Sequence, residues 1–217
     1  ITLVGMILGS LIPIVGIGMM FCGIYYCLFQ KANGQTVSID GLFKGFNYLL
    51  PSLIATLVII IPSIVLMFFM YGSIFALVFA MAGSRGRMND AAFPILFGTM
   101  MIEGVVIGLV LGCLHALIMF TYPLIVERGL SGVDAFKLSA RAVWKNLNGV
   151  IGLILCEFAL GLVGYMLCAV GVYLTLPIMF AGVFIAYRKV FPPITGYGAP
   201  SNLPPPPPTF VNESQYR

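Results

Sequence analysis

Few side chains in this sequence have chemistry beyond packing. His115 is the single histidine, and Glu157 is an acid within the long apolar run 149–187. Each shares a helical face with small residues. Gly104, Gly108 and Gly112 recur every four positions, and Ala116 continues the stripe. Eleven residues on from Gly104, His115 lies about 20° away around the axis at 3.6 residues per turn. Glu157 stands with Gly161, Gly164 and Cys168 at i+4, i+7 and i+11. Small residues at this spacing let a second helix approach closely, and ionisable groups inside a bilayer face the bundle interior. Measured from the nearer charged loops at 1.5 Å per residue, His115 is about 16 Å deep and Glu157 about 13 Å deep. A His115–Glu157 hydrogen bond near the midplane is therefore expected. Its use stays open between a structural pair, a proton or substrate path, and His115 as axial ligand of a porphyrin-type pigment or haem. No other cofactor is expected. Glu103 falls near the outer end of its run, at headgroup level.

The remaining residues argue against catalysis. The sequence has no Gly-rich phosphate loop, HExxH, nucleophile elbow or metal-spaced His/Cys set, and one histidine with a few buried acids does not build a hydrolase triad. The five cysteines (Cys22, Cys27, Cys113, Cys156 and Cys168) fall in apolar segments without a CxxC pair, and read as small buried hydrophobes. The net charge of +4 sits in loops flanking apolar runs, which gives nucleic-acid binding no support. The expectation is a non-enzymatic accessory or scaffolding subunit of a larger membrane-protein complex, with other membrane subunits and membrane lipids as partners. A lipid or small-molecule carrier using Glu157 and a cofactor-holding subunit using His115 are the alternatives.

The elements that position these residues follow from hydropathy. The chain is 60% hydrophobic and 8% charged, and a spanning helix needs about 20 mostly apolar residues. Residues 49–82, 93–126 and 149–187 meet that length. The fold class is all-α: a polytopic transmembrane bundle of five to six spans over 1–190, followed by a Pro-rich extended tail, 191–217. The opening run Ile1–Ile12, about 18 Å of helix, is shorter than a span and predicts residues upstream; Pro13 to Gly18 then makes a turn or kink. The overlong run 49–82 predicts a tilt, or a break near Pro62 or Gly72-Ser73. Residues 149–168 and 172–187 form a hairpin. Lys31, Lys44, Arg128, Lys137, Arg141, Lys145, Arg188 and Lys189 lie on one face, against Arg85 and Arg87 on the other. By the positive-inside rule the first face is cytoplasmic, as is the C-terminus, in a bacterial inner membrane.

Two connections on that face read as interfacial amphipathic helices, 38–48 and 131–147. In the second, Val133, Phe136, Ala140, Val143 and Leu147 follow helical spacing. Lys137, Arg141 and Lys145 form a basic stripe, and Trp144 suits a headgroup-level anchor. Ser131 with Asp134 is a capping-box variant. In the first, Ile39, Leu42, Phe43 and Phe46 oppose Asp40, Lys44 and Asn47. The two segments echo each other (Ser38 to Lys44 against Ser131 to Lys137), as do Phe21-Cys22-Gly23-Ile24 and Phe180-Ala181-Gly182-Val183, which suggests an internal duplication. In the tail, Pro204, Pro205, Pro206, Pro207 and Pro208 with Phe210 form a polyproline-type segment, expected to lie on a partner.

Several stretches together resemble a known set. They are Pro13-Ile14-Val15-Gly16, Gly23-Ile24-Tyr25-Tyr26, the stretch from Val37 to Phe46, the stretch from Tyr122 to Gly129, Ala140 to Asn146, and Ala186-Tyr187-Arg188. The chain resembles the poorly characterised prokaryotic six-helix integral membrane families, including the membrane domain attached to some glycerophosphodiester phosphodiesterases. The resemblance covers roughly 1–191 and implies a six-helix bundle. The central helices, around 71–105, are longer than the pattern. No phosphodiesterase domain lies within these residues, so that activity is not carried over.

Overall fold

The computed structural model describes residues 15–83, 92–167 and 170–193. Every regular element among them is helical. In chain order they are α1 (Val15–Ala32), α2 (Asp40–Phe43), a 3-10 turn (Lys44–Tyr48), α3 (Leu49–Gly83), α4 (Ala92–Ile118), α5 (Thr121–Arg128), α6 (Gly132–Lys145), α7 (Leu147–Met166) and α8 (Val170–Val190). Four stretches are long and apolar enough to cross a membrane: Asp40–Phe79, Pro94–Arg128, Leu147–Met166 and Gly171–Val190. The expected opening turn at Pro13, the loop carrying Arg85 and Arg87, Cys168 and the proline run of the tail lie outside the described residues. The chain divides into two compact units, Ile1–Thr56 with Ile118–Arg217, and Leu57–Leu117.

In the first unit α1 is the hub. Met19, Cys22, Ile24, Tyr25, Cys27 and Phe29 are all buried. The neighbours reach it through glycine. A Cβ on Gly23 would strike the Leu42 carbonyl, and one on Gly45 would strike the Met19 carbonyl. Segment 40–48 is thereby laid along the α1 backbone. This corrects the expectation of one amphipathic helix over 38–48. The segment is one α turn and one 3-10 turn; Leu42 is buried, whereas Ile39, Phe43 and Phe46 are exposed. Gly41 and Gly45, four apart, supply the close approach and also weaken a continuous helix. Aromatic edges close the other side of α1. Phe21 meets Tyr122 at 5.2 Å and Phe180 at 5.3 Å, and Phe29 meets Phe184 at 5.1 Å. Phe21 and Phe180 are the leading residues of two segments that echo each other in sequence, and here they touch.

The apolar run 93–126 is two helices. Pro123 has no N–H to return to the Met119 carbonyl, and its ring crowds that carbonyl. The helix stops at Ile118 and restarts at Thr121, which puts Pro123 in a first turn, where proline is tolerated. The Phe120 amide freed by the break donates to Ser139 Oγ at 3.2 Å. By contrast α3 runs unbroken through Pro62. Its 35 residues make about 52 Å of helix. One residue beyond the proline, the Ser63 hydroxyl donates to the Ile59 carbonyl at 2.7 Å. Helices α7 and α8 pack against each other. Gly164 stands against Val172 and Thr175, each 2.9 Å from the place a Cβ would occupy.

The second unit comprises α3 from Leu57 and α4 up to Leu117. Its large apolar side chains are mostly exposed, Phe68, Phe75, Ile102 and Leu109 among them. The expectation of buried cysteines holds for Cys22 and Cys27 and is corrected for Cys113 and Cys156, which are exposed.

Candidate functional site

The most concentrated polar chemistry in the described residues is in the first unit, at the ends of α5 and α8. Glu127 closes α5 and is 2% exposed. Tyr187, fully buried on α8, donates its hydroxyl to Glu127 Oε2. Arg188, the next residue, donates Nη1 to Glu127 Oε1 at 2.5 Å. The Arg188 guanidinium also lies over the Phe29 ring at 4.8 Å and the Phe184 ring at 5.5 Å, where the ring faces favour a cation. Arg128 lies over Phe191 at 5.2 Å. Phe191 in turn packs on Tyr187 and Phe120. One carboxylate thus ties α5 to α8, and the arginine that answers it ties both to α1.

Local structure explains the placement. Gly129 takes φ 62°, a left-handed conformation open to glycine, and ends α5 by donating its N–H to the Ile125 carbonyl. Glu127 and Arg128 are held in that closed last turn. Tyr187 and Arg188 are adjacent, so they leave α8 about 100° apart and reach the two oxygens of one carboxylate. Both oxygens of Glu127 are engaged, one by a phenol and one by a guanidinium. A carboxylate so occupied is not poised as a general base. What this arrangement can do is hold a charge away from water and lock three helices.

A second polar chain crosses the same unit. Thr56 Oγ1 donates to the Ser52 carbonyl at 2.7 Å, and stands 3.1 Å from the Tyr122 hydroxyl. Ser131 caps α6: its Oγ accepts from the Asp134 amide at 3.2 Å, as the capping motif predicts, and donates to Asp134 Oδ2 at 2.6 Å. The side of α6 turned inward is Gly132, Ala135, Ser139, Ala142 and Val143, with Gly132 set against the Pro51 carbonyl. Of the residues expected on its apolar face only Val143 is buried; Val133 and Leu147 are exposed. Gly132 admits the backbone of α3 at Pro51, and Ser139 accepts the Phe120 amide, so the small side of α6 is the one that packs.

The residues singled out from sequence are distributed as follows. Glu157 is buried at 7% in mid-α7, within electrostatic reach of Tyr25. His115 is an exposed residue of α4 and belongs to the other compact unit. A Cβ added at Gly104, Gly108, Gly112 or Gly161 meets no atom within 4 Å, whereas Gly164 is tightly packed and Ala116 is buried. Lys137, Arg141, Trp144 and Lys145 are all exposed on α6. Pro204 to Pro208 and Phe210 lie outside the described residues. Among the described residues, no three His, Cys, Asp or Glu side chains are grouped so as to hold a metal ion. The Glu127–Tyr187–Arg188 cluster was not singled out from sequence. A signal for it exists: Glu127 is an acid directly at the end of an apolar run, in a chain with only seven Asp and Glu.

Long apolar helices joined to a compact unit with a buried ion pair define a helical protein of membrane type. Residues 1–212 match the family described as Domain of unknown function (DUF7847). The chain belongs to that family. Comparison with curated proteins and with solved structures returned no match.

Proposed function

We propose that this chain is a non-enzymatic integral membrane protein that serves as an accessory or scaffolding subunit of a larger membrane assembly. The observation that carries this reading is the open glycine stripe on α4. Gly104, Gly108 and Gly112 present a smooth groove that nothing else in the second unit fills, and that unit's large apolar side chains are mostly exposed. Glycines at this spacing weaken a helix by about 1 kcal/mol each relative to alanine. A foreign helix seated on them offsets that cost by close packing. The strongest polar cluster is engaged in holding helices together, which accords with a structural role. The orientation follows the cation bias, with the charged connections and the C-terminus on the cytoplasmic side of the cell membrane. The tail, with its prolines and Phe210, is a second contact for the same partners. The likeness of its motifs to membrane domains found beside some phosphodiesterases fits a non-catalytic membrane part.

The test is the size of the native particle. Extracted from its own membranes in mild detergent, the protein should migrate in a complex larger than one copy. Gly108→Ile should release it as a lone, folded chain. A monodisperse monomer from native membranes, unchanged by Gly108→Ile, would overturn the assembly reading.

A buried acid in mid-α7 favours a second reading, a carrier that uses Glu157 as a proton site. In proteoliposomes Glu157→Gln should then abolish proton-coupled uptake with the fold intact. Unchanged transport, or no transport in either protein, rejects it.

A further inference from the structure

We propose that α6 is a docking surface for anionic phospholipid headgroups. This inference rests on the membrane reading of α7 and is independent of the assembly proposed above.

The orientation of α6 is set by packing. Gly132, Ala135, Ser139, Ala142 and Val143 face the protein, pinned by the Phe120–Ser139 hydrogen bond and by the Pro51 carbonyl against Gly132. Two other faces remain. One carries Lys137, Arg141 and Lys145, all exposed, with no ion-pair partner among the described residues. The only acid of the helix, Asp134, is at its first turn and is bonded to Ser131. The other face carries exposed Val133 and Trp144, the latter 69% exposed. Seven residues separate Lys137 from Trp144, which places them about 20° apart around the axis. The indole therefore marks the border between the basic face and the apolar flank.

That border has a physical match. A helix of 14 residues is about 21 Å long, too short to span. It is followed after one residue by α7, which is long and apolar enough to cross a membrane. Lys145 is thus two positions from the start of a span, at the level where a bilayer changes from acyl chain to headgroup. An apolar flank with tryptophan at its edge seats at that level, and uncompensated lysine and arginine above it meet lipid phosphates. Charge complementarity selects anionic over zwitterionic lipid. Each such cation favours an anionic over a neutral leaflet roughly fivefold.

Trp144 is the only tryptophan, so its fluorescence reports this face alone. The full chain is reconstituted in nanodiscs of phosphatidylcholine with a minor share of phosphatidylglycerol. A spin label near the headgroup is placed on one lipid or the other at equal mole fraction. Labelled phosphatidylglycerol should quench Trp144 at least about twofold more than labelled phosphatidylcholine, a conservative part of that preference. The difference should shrink with added salt and vanish in K137Q/R141Q/K145Q. K137R/K145R should retain it, which separates charge from a folding defect. Equal quenching by both lipids in the wild-type chain would refute anionic selectivity. Quenching by aqueous iodide and by neither lipid would refute lipid docking and make the face a protein-binding surface. In a chain whose other cysteines are replaced, a bimane on Cys156, exposed in mid-α7, reports through chain-end quenchers whether α7 lies in the acyl region. Failure of that reading is thereby seen separately.

Discussion

Glu127 shows how a single side chain can organise a membrane-type unit. Removing a buried charge from its partners leaves the partners exposed to the same low dielectric. Arg188 is 21% exposed in its side chain, against none for Glu127, so water can replace part of what the arginine loses. Glu127→Ala should therefore destabilise the first unit by about 3 kcal/mol, the lower edge for broken buried pairs. The expected readout is a lowered unfolding midpoint in detergent. Tyr187→Phe removes one hydrogen bond and leaves one oxygen unanswered, for about 1–3 kcal/mol. In the double variant Glu127→Gln with Arg188→Met the two effects should be clearly less than additive, because the charges vanish together. Additive effects in that cycle would mean the pair does not couple. The sequence displayed the acid, the tyrosine and the arginine, but a span of 60 positions between Glu127 and Tyr187 hides their meeting from any local pattern.

At the level of elements, two kinds of glycine look alike in sequence and act differently. Gly23, Gly45 and Gly132 sit where a Cβ would strike another backbone carbonyl. Gly104, Gly108 and Gly112 have open space beside them. Alanine at Gly23 or Gly45 should cost about 1–3 kcal/mol through overpacking, because a carbonyl fixed in a helix cannot move aside. Alanine at Gly108 should leave the isolated chain as stable or raise its stability by up to about 1 kcal/mol, while weakening the native complex. Thermal unfolding of the lone chain beside native sizing of the extracted particle checks both. If Gly108→Ala destabilises the lone chain, the stripe is used internally. The break before α5 belongs to this scale as well. Pro123 was visible in sequence, yet the run around it read as one apolar segment because hydropathy does not register a missing N–H.

For the whole molecule, the charged connections should share one side of the membrane. In a chain with its native cysteines replaced, a cysteine at position 137 should resist an impermeant label in intact cells, and one at position 87 should react. The reverse pattern would invert the orientation. Length and apolar content were enough to establish a helical chain with span-length segments, because crossing hydrocarbon demands about 20 apolar residues in a row whatever their neighbours. The packing of α7 on α8 and the Ser131 cap were legible because both are set by residues close together in the chain. Tertiary structure alone decided that α1 is the hub, that segment 40–48 lies along it, and that Glu127 belongs to Tyr187 and Arg188. It also decided that the inward face of α6 is the small-residue side. Each of these depends on the rotation of one helix about its axis against another. In an almost uniformly apolar sequence every face is equally fit to be buried, so hydropathy cannot choose among them; steric fit at glycine and the need to partner a buried charge do.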